Sequence, residues 1–136
     1  MLKFKNVAAV ICLASIPLAI QAAELAGKDP VVAQLMTKAL ADIPGKEVLM
    51  ITVDYPPGAA DPIHRHDAHA FVYVLEGSII MQVKGGKEVT LTAGQTFYEG
   101  PKDIHTVGRN ASKTQPAKFV VLMVKNVGAE FFLSAQ

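Results

Sequence analysis

The stretch GAADPIHRHDAHAFVYVLEG, residues 58–77, decides how this chain is read. Three of the four histidines, His64, His66 and His69, fall within six residues of one another here. The fourth, His105, follows a second Gly-bearing turn. Imidazole is the commonest protein metal ligand, and side chains at i and i+2 of a strand share one face. The Cα atoms of His64 and His66 would then lie about 6.5–7 Å apart, close enough for both rings to reach one ion. The apolar run that follows, Phe71 to Leu75, is rich in aromatic and β-branched residues and reads as a strand.

On either side the same period of two continues. Val48 to Tyr55 is a strand closed by the turn Pro56-Pro57-Gly58, and Ile63 to His66 is short and extended. Ser78 to Lys84 alternates, and Gly85-Gly86 folds it as a hairpin onto Lys87 to Thr92. Gln95 to Glu99, His105 to Arg109 and Lys118 to Val124 complete the set. Short strands with turn signals this frequent predict an all-β barrel or sandwich over residues 46–136. The end of the chain, Gly128 to Gln136, carries Phe131, Phe132 and Leu133, which must dock on the barrel or on a second copy.

Residues 24–45 read differently. Asp29-Pro30 is a helix start, Val31, Val32, Leu35, Met36, Ala39 and Leu40 follow at helical spacing, and Pro44-Gly45 is a stop. One amphipathic N-terminal helix is the expectation. Residues 1–23 have the layout of a cleaved export signal: Lys3 and Lys5, an apolar run from Val7 to Ile20, then Gln21-Ala22-Ala23. The run is short for a membrane span. A periplasmic or secreted protein, with no membrane contact in its mature form, is expected.

Loss of residues 1–23 would remove two lysines and no acid, taking the formal charge from +1 to −1. A near-neutral surface offers no basic stripe for nucleic acid. The only cysteine, Cys12, lies in the same segment, so thiolate chemistry is absent from the rest of the chain. Any metal there is held by nitrogen and oxygen.

The residues also resemble a known family. Gly58, five residues, His64-Arg65-His66, then six residues from Ala70 to Gly77 is similar to the first cupin motif, G-x5-H-x-H-x3,4-E-x6-G, with Ala70 where the glutamate stands. Gly94, five residues, Gly100-Pro101-Lys102, two residues and His105 resembles the second motif, G-x5-P-x-G-x2-H-x3-N, with Pro101 and Asn110 each one place late. The resemblance runs from about residue 50 to 124. It implies a double-stranded β-helix, or jelly-roll barrel, with a metal at its mouth. It implies His64, His66 and His105 as ligands, and dioxygenase-like, isomerase or decarboxylase chemistry on a small organic molecule. It also suggests a homodimer. The alternative is a non-catalytic module that binds or senses a small molecule or a metal.

Three imidazoles with open positions suit zinc, iron, nickel, copper or manganese, and ligand type alone does not choose among them. Two residues are candidates to replace the missing glutamate. Glu99 ends the strand before the turn to His105 and could serve as a ligand or general base. His69 adjoins Ala70 but would need a bulge to turn inward. Tyr55, Tyr73 and Tyr98 read as wall packing.

Overall fold

A computed structural model describes residues 29–135. The expected export signal lies outside the described residues. Ten strands form two antiparallel five-stranded sheets, and no helix occurs among the described residues. β1 (Val31–Ala39), β2 (Lys46–Tyr55), β9 (Ala117–Asn126), β4 (Ala68–Glu76) and β7 (Thr96–Glu99) make the first sheet, in that order. β10 (Leu133–Ser134), β3 (His64–Arg65), β8 (Ile104–Asn110), β5 (Ser78–Val83) and β6 (Val89–Thr92) make the second.

The core lies between the sheets and follows from strict alternation. β4 buries Ala68, Ala70, Val72 and Val74 and exposes the residues between them. β9 buries Ala117, Phe119, Val121 and Met123 in the same way. β5 sends Ile79 and Met81 in from the opposite sheet. Tyr55 and Phe119 meet edge to face, with ring centroids 5.0 Å apart.

The segment expected to be a helix is a strand. β1 pairs antiparallel with β2 from Val31 opposite Asp54 to Ala39 opposite Glu47, with a bulge between Gln34 and Met36. All nine of its residues are exposed, so no buried face decides its conformation. The backbone ladder along β2 does, and it overrides a helical spacing of apolar residues that had nothing to pack against. Pro44-Gly45, read as a helix stop, lies in the hairpin connection, where Gly45 has φ +78 and Leu40 N–H donates to the Lys46 carbonyl at 2.9 Å.

Two features hold the segment that leads from β2 to the histidines. Asn110 donates to the carbonyls of Tyr55, Pro56 and Gln115 at 3.1, 3.1 and 2.8 Å, tying β8 to the loops on both sides. Asp61 N–H donates to the Gly108 carbonyl at 2.8 Å, which draws the loop before His64 against β8. Near Asn110, at the turn between β4 and β5, Gly77 (φ +69) is required by packing, since a Cβ there would sit 2.4 Å from the Pro116 carbonyl oxygen.

Candidate metal centre

His64 and His66 lie on and just after β3, and alternation turns both inward while Arg65 points out. Both are buried. Antiparallel pairing of β3 with β8 sets His64 directly opposite His105, also buried. The His64 ring centroid lies 4.9 Å from that of His66 and 4.8 Å from that of His105. Residues 41 positions apart in sequence thus share one cluster.

Glu99 enters from the other sheet. In the β4–β7 ladder it sits directly opposite Ala70, whose buried methyl occupies the position of the missing motif glutamate. Directly opposed residues share a face, with Cβ atoms about 5 Å apart. The small Ala70 therefore leaves room for a carboxylate delivered by its cross-strand neighbour. Glu99 Oε2 lies 3.8 Å from His66 Nε2 and 3.5 Å from His105 Nδ1. Donor atoms of His64, His66 and Glu99 all fall within 4.8 Å of one another. His105 Nδ1 approaches the same group, 3.3 Å from His64 Nε2.

Ring orientation follows from hydrogen bonds to carbonyl oxygens, which only accept. His64 Nδ1–H donates to the Pro62 carbonyl at 2.8 Å, and His66 Nδ1–H donates to the Phe131 carbonyl. Each bond fixes the tautomer with an unprotonated Nε2, the outer-shell arrangement that histidine ligands use. Burial holds all three imidazoles below their ordinary value. His105 reaches about 4, helped by the neighbouring His64. Neutral imidazole is the ligating form. Burial, with the charges of Asp103 and Asp61 behind it, pushes Glu99 up to about 7.

The donor set fits a divalent transition metal. Glu99 Oε2 and His105 Nε2 are buried without a hydrogen-bond partner among the described residues. An unsatisfied buried carboxylate oxygen is costly, and a cation beside it removes that cost.

Four features of the site were not singled out as site residues from sequence. Asp61 lines the cavity and accepts a hydrogen bond from the buried Tyr55 hydroxyl. Its only sequence signal is its place in the Gly58–His64 interval. Gly108 gives the ring of His105 its space, since a Cβ there would stand 2.8 Å from His105 Cε1 and 3.1 Å from Asp61 Oδ2. Phe131 and Phe132 close the cavity, and the Phe132 ring stacks on His64 at 4.3 Å.

His69 is not brought to the site. It faces outward on β4, where its Nδ1 lies 2.7 Å from the Tyr98 hydroxyl. Phe71, Tyr73 and Tyr98 also lie on the outer face, whereas Met81 faces the cavity. That cavity measures about 50 Å³ and is walled by Val53, Val72, Met81, Phe119 and Val121.

Comparison with known proteins agrees with this fold. The family profile described as the cupin domain matches residues 51–124, more than half of the chain. No curated protein matches the sequence. Among solved structures, an oxalate oxidase in complex with glycolate is 26% identical at a TM-score of 0.60, covering 79% of this chain and 55% of its own. The DMSP lyase DddQ from Ruegeria pomeroyi DSS-3 is 19% identical at 0.58, covering 65% and 43%. An uncharacterized protein with a double-stranded β-helix domain from Klebsiella pneumoniae is 19% identical at 0.62, covering 79% and 86%. The chain thus spans about half the length, or less, of the two enzymes.

Proposed function

The chain belongs to the cupin family, and from that premise we propose that it is an exported metalloenzyme acting on a small organic molecule. His64, His66 and His105, with Glu99, hold one transition-metal ion. The observation that carries this reading is the buried meeting of three neutral imidazoles and an unpartnered carboxylate oxygen. A bound divalent ion supplies a Lewis acid that polarises an oxygen of the substrate.

The chain's own residues do the rest. The Pro62 and Phe131 carbonyls hold two imidazoles in the ligating tautomer. Glu99 is the carboxylate of the set, free to bind the ion once its proton has left. Asp61, held by Tyr55, gives the cavity a second carboxylate at its wall. The apolar walls exclude bulk water. Dioxygenase-like, isomerase and decarboxylase reactions all suit such a centre, and the two named enzymes among the similar folds act on small molecules.

The second reading is a binding or sensing module that holds a metal or small molecule without turning it over. The stacking of Phe132 on His64 favours it, because the site is covered rather than open. One experiment separates the two. Metal-loaded protein is screened by thermal shift against small organic acids, alcohols and amides, and every stabilising compound is assayed for product. Product from at least one supports the enzyme, and stabilisation with none supports the module.

We also propose a homodimer formed through the outer face of the first sheet. Phe71, Tyr73 and Tyr98 are each close to half exposed there, beside Met50 and Leu122. Apolar surface of this kind on a small domain marks an interaction site. The C-terminal phenylalanines line the cavity of their own barrel, although Phe132 keeps part of its ring exposed.

A further inference from the structure

The C-terminal segment is the roof of the metal cavity, and it touches two of the rings beneath. The Phe131 carbonyl takes the His66 Nδ1–H bond, and the Phe132 ring lies nearly parallel to His64, 4.3 Å away and inclined by 18°. The roof is held lightly at its far end. β10 pairs with β3 over only Leu133 and Ser134, and Ala135 N–H adds one bond to the Ile63 carbonyl at 3.2 Å. Its near end is firmly fixed. The buried Lys125 Nζ bridges Glu47 Oε1 at 2.5 Å and the Ala129 carbonyl at 2.6 Å, and Gly128 N–H donates to the same Glu47 oxygen at 3.2 Å.

Beneath this roof the space is about 50 Å³. At roughly 10–15 Å³ for each water-sized occupant, that is room for about three to five non-hydrogen atoms. The charge pattern limits the occupant further. No Lys or Arg is among the described residues that line the cavity, while Asp61 and Glu99 both do. A second negative charge on a ligand would meet carboxylates and no fixed cation.

From this we infer that Phe132 is the specificity-determining residue of the site. It restricts the cavity to ligands of a few non-hydrogen atoms, while the carboxylates of Asp61 and Glu99 restrict those ligands to neutral ones or ones with a single negative charge. Small monocarboxylates and neutral oxygen ligands are accepted, whereas dicarboxylates are refused by charge. The inference rests on the metal reading above.

The test uses the full chain loaded with cobalt(II), whose visible spectrum reports any ligand that reaches the ion. Acetate, hexanoate and succinate are titrated in turn. Hexanoate and succinate have the same number of non-hydrogen atoms and differ in charge. In the unsubstituted protein acetate shifts the spectrum and the other two do not. In Phe132→Ala the preference for acetate over hexanoate falls by about tenfold or more, the scale of discrimination in a tight apolar pocket. Succinate stays excluded in that variant, because its charge limit does not depend on the roof.

Cobalt content of each protein is measured first. Should Phe132→Ala lose the ion, Phe132→Leu is read instead, since it keeps an apolar cover over His64. Hexanoate binding as tightly as acetate to the unsubstituted protein overturns the inference, as does an unchanged preference in the variant that keeps cobalt. Succinate matching hexanoate in that variant overturns the charge limit. An unsubstituted chain that retains no cobalt overturns the metal reading, and this inference with it. Cobalt retained with an unchanged chain-length preference overturns this inference alone.

Discussion

Glu99 keeps its proton up to about pH 7 because burial disfavours its charged form and Asp103 and Asp61 add to the penalty. Unfolded, it would lose that proton near its ordinary 4.5. Between 4.5 and 7 the ion-free fold therefore binds a proton that the unfolded chain does not, and Glu99 thereby weakens the fold as pH rises. His105 has the opposite sign. It stays neutral down to about 4 while the unfolded chain gains a proton below 6.5, so His105 weakens the fold as pH falls from 6.5 toward 4. A metal ion needs the carboxylate, so below pH 7 it must displace the Glu99 proton, while burial disfavours protons on the imidazoles. Metal affinity should rise about tenfold per pH unit up to about 7 and then level off as far as Glu99 is concerned. Calorimetric titration at pH 6 in buffers of different ionisation heat should find about one proton released per ion. Glu99→Gln should abolish both the release and the slope. The three ligand candidates were legible as residues because a histidine pair at i, i+2 and a third after a Gly turn are local patterns. Asp61 and Gly108 were not, because their roles depend on a loop folding back onto β8.

At the scale of strands, β4 and β7 share the work of delivering a carboxylate. Ala70 and Glu99 are partners in the ladder, so the acid can enter from either strand at nearly the same place. Glu99→Ala should weaken metal binding by at least about tenfold, and Ala70→Glu added to it should restore most of the loss, as read by competition with a chelator. Failure of the double variant to recover would show that the position of Glu99, and not merely a carboxylate between these strands, is required. The same ladder explains what sequence could and could not reveal. Glu99 was readable as a candidate because it ends a strand next to the His105 turn. That it faces Ala70 depends on pairing register, which single-sequence alternation does not fix. β1 shows the reverse case. Its apolar residues fit a helical period, but the hydrogen-bonding edge of β2 captured it, and no propensity within residues 31–39 records that edge. The strands from β2 to β9 were readable because buried positions recur along them with a period of about two, whereas β10, two residues long and not buried, was read only as a docking tail.

The whole molecule is a small barrel whose interior serves the site and whose outer sheet face is left apolar. If that face pairs two copies, sedimentation should give twice the chain mass, and Phe71→Lys with Tyr98→Lys should reduce it to a single chain without changing metal content. A single-chain mass for the unsubstituted protein would contradict the dimer and leave the site untouched, because none of its donor groups lies on that face. The central claim is that the barrel closes around a metal ion. It is tested most directly by element-resolved metal analysis of protein purified without added metal, alongside His64→Ala/His66→Ala. The expected result is about one transition-metal ion per chain in the unsubstituted protein and almost none in the variant. Equal metal content in the two, or none in the unsubstituted protein even after exposure to zinc, iron, nickel, copper and manganese, would contradict it.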